Sequence, residues 1–277
     1  MLPDAIVQDR DSLERVSRQG CQMVRISESH ILCRVLGKYI VYADAADISV
    51  APHLCMNGYW ESWITVAMAR LLRPGWYCLD VGANHGYYTL IMADAVGEGG
   101  RVLALEPNPR LADTIRLSLE VNGMNRCASV FQGAASDSRL NAVRLVVPPN
   151  RGGMATLYRQ PNALDEVINV ETTTIDELTA EWPHLDFIKI DAEGAEEGIW
   201  RGMQQTIQRH RNIRIMMEFC AARYANPGEF VASILRPGFR LCYVDFDATV
   251  RSITEQDLLT LRPGEEWMLF LERDDQV

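Results

Sequence analysis

Two carboxylates at the ends of two apolar runs are the first residues in this chain whose placement suggests chemistry. Asp191 ends the run in DFIKIDAEGAE (186–196), and Glu218 ends the run in NIRIMMEFC (212–220). Each run has the length and apolar content of a buried strand, and in an open parallel sheet ligands collect beyond the carboxyl ends of strands. Acids repeated there on neighbouring strands can share a proton-transfer step or hold a hard divalent cation such as Mg2+. Lys189 lies two residues before Asp191 and so on the same face of its strand. A lysine in an otherwise apolar strand needs a partner, and a nearby carboxylate supplies one. Singly, an acid after a strand is ordinary loop chemistry; its repetition favours function.

A second constellation lies upstream. LDVGANHGYYT (79–89) follows one apolar run and precedes another, Leu90 to Val96, whose spacing suits a helix. Gly82 and Gly86 stand where a chain leaving a buried strand bends sharply and lets its backbone approach a ligand. Asp80 at the end of that strand would repel a pyrophosphate but suits a cationic amino group and a sulfonium, which describes S-adenosylmethionine. The glycine spacing also departs from the G-x-G-x-x-G of a dinucleotide site, which disfavours an oxidoreductase. Glu106, in RVLALEPNP (101–109), ends the next apolar run twenty residues after Gly86 and can accept both ribose hydroxyls of an adenosine. The plain alternative is that Glu106 only opens a loop, since PNP is a strong turn signal.

The elements that position these residues can be read in order. Residues 1–20 suggest a helix, and MVRI, ILCRVL and KYIVYAD suggest a small antiparallel meander between Met23 and Val50. A helix follows over Tyr59–Leu72, with Trp60, Trp63, Ile64, Ala67, Met68 and Leu71 as its core face; Glu61 reads from periodicity as an exposed acid in the first turn. Leu111, Ile115 and Leu119 mark a further helix ending near Asn122-Gly123, and SVFQGAASD (129–137) a third strand with a small-residue loop. There Gln132 or Asp137 could bond an adenine amino group. Residues 141–175 break the alternation: two strands flank a long glycine-containing loop on the ligand side, the first choice for substrate contact. Thr174 and Glu177 have capping-box spacing, while Glu193 and Glu196 read as helix-stabilising acids. FRLCYVDFD and EWMLFLER complete a hairpin that closes the sheet, with Asp245 and Asp247 in its turn. The division expected is an N-terminal helix and meander over 1–57 and a main domain over 58–277 carrying the 141–175 insertion.

Composition narrows the function classes. With 277 residues, 48% hydrophobic and 23% charged, the chain can bury a large α/β core. A formal net charge of −10 argues against a nucleic-acid partner, which needs clustered cations. The basic group Arg209, His210, Arg211 and Arg214 reads as compensation of a helix dipole. No apolar run approaches the roughly eighteen residues of a membrane span, and MLPDAIVQDRDSLER has neither the basic start nor the apolar core of a secretory signal. A cytoplasmic location is therefore expected. The seven dispersed cysteines, without C-x-x-C, fit reduced thiols.

Taken together, GYWESW, DVGANHGYYT, LEPNP, TTTIDEL, IKIDAEGAE and MMEF resemble the FkbM family of methyltransferases over roughly residues 34–272. The resemblance implies a class I methyltransferase (Rossmann-like) α/β fold: a seven-stranded, mostly parallel sheet with an antiparallel C-terminal hairpin and a small N-terminal β/α elaboration. It implies O-methylation of a hydroxyl on a sugar, polyketide or related small metabolite, with S-adenosylmethionine as cofactor. It turns Glu61 from an exposed acid into a cofactor contact. The other cofactor residues it implies are Asp80, Gly82, Asn84, Gly86, Tyr88, Thr89, Glu106, Pro107, Asn108, Ala134 and Asp191, with Asp191, Glu218 and Lys189 catalytic. His85 departs from the aliphatic residue expected at its place and receives no role. A non-catalytic binding module of the same fold is the alternative, disfavoured by retention of both strand-end acids.

Overall fold

The computed structural model describes residues 8–260 and 266–273. Its first helix, Arg10–Gly20, is capped by Asp9, whose carboxylate accepts the Ser12 N–H at 2.7 Å. Residues 1–7 of the helix expected over 1–20 lie outside the described residues. Three antiparallel strands follow, β1 (Met23–Arg25), β2 (His30–Val35) and β3 (Tyr39–Asp44). In β3, Tyr39, Val41 and Ala43 are buried while Ile40 and Tyr42 are half-buried, the alternation of a strand with one covered face. Side chains of the helix Pro109–Val121 and its C-cap anchor this sheet: Ser118 Oγ accepts from the Tyr42 N–H at 2.9 Å, and Asn122 Oδ1 from the Ile40 N–H at 3.1 Å.

A helix that the pattern did not mark, Ala51–Asn57, comes next, with Pro52 in its first turn and Gly58 left-handed at its end. The helix expected over 59–72 runs Ser62–Leu71 because Glu61 takes a left-handed conformation (φ 35°) and holds the chain out of the helix until Ser62.

The remaining strands fall into two sheets. They are β4 (Tyr77–Val81), β5 (Arg101–Leu105), β6 (Ala128–Phe131), β7 (Ala134–Ala135), β8 (Leu140–Val147), β9 (Glu166–Thr173), β10 (Phe187–Ile190), β11 (Arg214–Phe219), β12 (Phe239–Val244), β13 (Val250–Ser252) and β14 (Trp267–Arg273). The large sheet has the order β13-β12-β14-β11-β10-β4-β5-β6. Its five strands from β11 to β6 are parallel, and β14 runs antiparallel to both β11 and β12. Without the three-residue edge strand β13, this is a seven-stranded sheet with an antiparallel end. Strand order reverses between β4 and β10, which are neighbours although five strands intervene in sequence. Both faces are covered: Phe187 points into one apolar layer, Ile188 and Ile190 into the other.

The 141–175 segment folds as expected from its two apolar runs. β8 and β9 pair antiparallel, and β7 joins β9 in a separate three-stranded sheet. Of the strand and small-residue loop expected over 129–137, the strand is β6, and the loop carries the two-residue strand β7. Gly133 lets the chain fold back tightly, since a Cβ there would lie 2.5 Å from the Phe131 ring and 3.0 Å from the Glu171 carbonyl oxygen. No helix among the described residues is long and apolar enough to cross a membrane.

Candidate active site

The bend after β4 is built by close backbone approach. Gly82 is left-handed (φ 76°), and a Cβ on it would stand 1.8 Å from the carbonyl oxygen of Asp191, so the ends of β4 and β10 can touch only with glycine here. Asn84, also left-handed (φ 53°), aims its N–H at Glu106 Oε2 at 2.8 Å, and the Asn108 N–H reaches Glu106 Oε1 at 2.9 Å. Two backbone donors thus fix the Glu106 carboxylate at the end of β5. Burial pushes it up to about 8, against the pull of those donors.

Glu106 and the bend line a cavity of about 300 Å³ that is also lined by Lys189, Asp191, Glu193, Glu218, Arg223 and Glu266. Lys189 is 2% exposed, donates to Asp191 Oδ2 at 3.0 Å and sits 4.7 Å from the centre of the Tyr88 ring. Burial would lower its pKa, but Asp191, Asp80 and Glu61 overcompensate and hold the ammonium above its usual range. The β4–β10 register explains this, setting Lys189 directly beside Asp80. Glu61 accepts from the Tyr88 hydroxyl at 2.8 Å, and burial together with Asp191 raises its carboxyl. Of the six left-handed non-glycine residues among those described, Glu61, Asn84 and Glu193 line this cavity, so backbone strain is concentrated where the side chains face a ligand space.

Glu218 sits at the same end and bonds the Arg223 guanidinium, which also reaches Glu193 at 3.4 Å and Glu266 at 2.6 Å. Burial and Asp191 push Glu218 up in spite of Arg223. Asp191 and Glu218 each have a cationic partner, and no group of three or more His, Cys, Asp or Glu among the described residues could hold a metal ion. The donor set therefore does not fit the Mg2+ reading of this pair.

Most residues expected to meet a cofactor line the cavity: Glu61, Gly82, Asn84, Tyr88, Glu106, Pro107, Ala134 and Asp191. Four do not. Asp80 lies fully buried beneath the bend, where it accepts from Thr89 Oγ1 at 2.6 Å beside Lys189 of the neighbouring strand. Thr89 is its buried partner. Gly86 begins the helix Tyr87–Val96, packed against Ile115, and Asn108 caps the helix Pro109–Val121 by accepting from the Arg110 N–H at 3.2 Å. Gln132 and Asp137 do not line the cavity either; they turn to Arg116 at 3.2 Å and Arg201 at 3.4 Å. Gly133, Ala134 and Ala135 take that wall. The basic group also divides: Arg209 caps carbonyls of Thr179 and Ala180, while Arg214, in β11, lies over Trp76.

Sequence reasoning missed several lining residues. Glu193, read as a helix-stabilising acid, instead occupies the loop before the helix Glu196–Arg201. Glu196 organises that loop, accepting from the Ala192 and Gly194 N–H groups and the Tyr224 hydroxyl. Arg223 had no signal beyond the need of Glu218 for a counter-charge. The roof comes from two distant segments, Ser49-Val50 and Gly152–Ala155, joined by the Ile48 N–H donating to the Asn150 carbonyl at 2.8 Å. Gly153 crosses so near Asn84 that a Cβ would meet its amide nitrogen at 2.2 Å. His85 is 1% exposed in the cavity wall, bonded through Nδ1 to Asn84 Oδ1 at 2.6 Å, with Nε2 buried and unpartnered; burial lowers its pKa.

The strand order, the glycine bend at the reversal and the acid closing β5 define the class I methyltransferase fold. The Methyltransferase FkbM domain matches residues 80–247, more than half of the chain, and the chain belongs to that family. Protein-L-isoaspartate O-methyltransferases are more distant relatives. That of Methanopyrus kandleri is 41% identical over 68 residues, covering 24% of this chain and 30% of that protein. That of Aeropyrum pernix is 42% identical over 71 residues, covering 25% and 27%. The chain thus spans less than a third of the length of the curated relatives it matches. Among solved structures, precorrin-6y C5,15-methyltransferase of Geobacter metallireducens is similar with a TM-score of 0.44 at 12% identity, covering 77% of this chain and 88% of that one.

Proposed function

We propose that this protein is an S-adenosylmethionine-dependent O-methyltransferase acting on a hydroxyl of a small metabolite, a sugar or a polyketide-type alcohol. The observation that carries this reading is a single cavity lined by both Glu106 and Asp191, with the Gly82 bend packed against the Asp191 carbonyl. The lining suits the cofactor. Glu106 is presented for ribose hydroxyls, the Gly133–Ala135 wall leaves room for a flat base, and the excess of carboxylates favours a cationic ligand over a phosphate. Glu61 and the carbonyls of the bend are the groups to meet its amino acid end.

When bound, the sulfonium supplies an already electrophilic methyl carbon, so no covalent nucleophile is needed from the chain. An alcohol is a weak nucleophile while protonated. Asp191 is the group assigned to take the hydroxyl proton, because it is the cavity-facing acid beside the bend. Lys189 is a positioning residue: buried and bonded to Asp191 Oδ2, it holds that carboxylate in one orientation and leaves the other oxygen for the acceptor. Glu218, held by Arg223, borders the acceptor space. A cytoplasmic location accompanies this reading, supported by seven free cysteines.

The test is transfer of labelled methyl from S-adenosylmethionine to a panel of glycosides, polyketide alcohols and lipid-linked sugars, after titration of the protein with S-adenosylmethionine and NADH side by side. Preference for NADH would sink the cofactor assignment. Cofactor binding without transfer to any acceptor would sink the enzymatic one.

A further inference from the structure

His85 stands inside the bend, between the left-handed Asn84 and Gly86, and its ring leaves one nitrogen unmet. Among the described residues, His85 Nε2 is the buried side-chain nitrogen or oxygen without a hydrogen-bond partner that belongs to a residue lining the cavity. A buried polar atom left unpaired is costly, and nearly all such atoms in folded proteins find a partner in protein, water or ligand. Nδ1 meets Asn84 Oδ1 at 2.6 Å. A carboxamide oxygen only accepts, so Nδ1 carries the proton, and Nε2 of the uncharged ring offers a lone pair. Its missing partner is therefore a donor.

The surroundings say which donor. The charged groups acting on the ring are Asp47 and Asp44, both from the segment that follows β3 or ends it. Both are engaged elsewhere: Asp47 accepts from Ser49 Oγ at 2.5 Å and from the Val50 and Ala51 N–H groups at 2.8 Å, and Asp44 from the Ala46 N–H at 2.9 Å. The same N-terminal segment brings Ser49, Val50, Trp60 and Glu61 to the cavity, so His85 faces the side from which Glu61 enters.

We propose that His85 Nε2 accepts a hydrogen bond from the α-ammonium of the cofactor, beside Glu61 and the carbonyls of the bend, given S-adenosylmethionine as the ligand. An ammonium has three N–H donors, enough for a carboxylate, a backbone carbonyl and an imidazole together. The ribose hydroxyls are the competing donors, and both oxygens of Glu106 are presented for those. A leucine at position 85 would fill the wall but leave one ammonium proton unmet. His85 is thus a specificity-determining residue for the amino acid end of the cofactor.

The experiment uses the full chain, wild type and H85L, with S-adenosylhomocysteine and its analogue lacking the α-amino group. By calorimetry, wild type is expected to bind the deaminated analogue at least about 100-fold more weakly. In H85L, S-adenosylhomocysteine should weaken about tenfold while the analogue stays within about threefold of its wild-type value, so the advantage of the amine falls to about tenfold. Equal weakening of both ligands would make His85 a packing residue and overturn the proposal. A readout on wild type alone guards against misfolding of the variant. With nitrogen-labelled histidine, the Nε2 resonance is expected to shift upfield on adding S-adenosylhomocysteine and to stay in place with the analogue. An unmoved resonance, or the same shift with both ligands, would overturn the proposal. Failure of wild type to bind S-adenosylhomocysteine would instead refute the cofactor assignment, so the two failures are distinguishable.

Discussion

Asp191→Asn removes one charge while nearly preserving shape, and its consequences divide into a stability effect and a catalytic one. Lys189 is 2% exposed and donates to Asp191 at 3.0 Å. Stripping one partner from a buried ion pair costs about 3–5 kcal/mol when nothing else compensates. Here Asp80 lies in register beside Lys189, Glu61 also draws on it, and the asparagine oxygen can still accept, so about 1–3 kcal/mol is expected. For a domain of this size that is a fall in Tm of roughly 3–10 °C. The catalytic loss should be far larger, about 10²–10⁴-fold in kcat, the usual contribution of a general base. S-adenosylhomocysteine affinity should stay within about threefold of wild type, because Glu106 and the bend are untouched. Thermal melts, calorimetry and labelled-methyl turnover on one preparation separate the three quantities. Wild-type kcat in the variant would refute the base assignment. A loss of product affinity equal to the loss of kcat would make Asp191 a cofactor residue only.

Three other outcomes follow from the geometry. Gly153→Ala puts a methyl 2.2 Å from the Asn84 side-chain amide, so that this side chain or the roof must shift; both line the cavity, and cofactor affinity should fall about tenfold with a Tm change of only a few degrees, while unchanged affinity would show that neither touches the cofactor. Glu106→Gln should weaken S-adenosylmethionine binding by about 10–100-fold, the worth of losing the paired hydrogen bonds that one carboxyl group makes to two hydroxyls. Because the folded pKa of Glu106 is raised to about 8, its contribution to ligand-free stability is full below the unfolded value near 4.5 and is lost as pH rises through about 8; the variant should show a flatter decline of Tm between about pH 5 and 9, and identical slopes would contradict it. Exhaustive chelation should leave turnover unchanged, since Lys189 and Arg223 occupy the two strand-end acids; loss of activity restored by Mg2+ would reverse that conclusion.

Some of this site is written locally in the chain. A strand followed by a glycine bend, or by an acid, is a signal carried by a few adjacent residues, which is why Gly82, Glu106, Asp191 and Glu218 could be picked out before any contact was known. The fold order is legible for the same reason: apolar runs of strand length alternate with helical periodicity through 76–121 and again through 186–219. Glu61 shows where local reading stops. Its neighbours obey helical spacing, and only the left-handed turn at that residue directs its carboxylate into the cavity. Asp80 shows the converse, since strand pairing with Lys189 draws it under the loop and away from the ligand space.

What the amino-acid order decided alone is where the strands end and which residue types stand at those ends. The tertiary structure decided which ends meet and how their charges balance. Arg223 gathers Glu193, Glu218 and Glu266 from three separate elements, and segments 48–50 and 152–155 close over the bend from opposite sides of the sequence. Such groupings depend on Coulomb and packing interactions between residues far apart in the chain, which no periodicity or short spacing encodes.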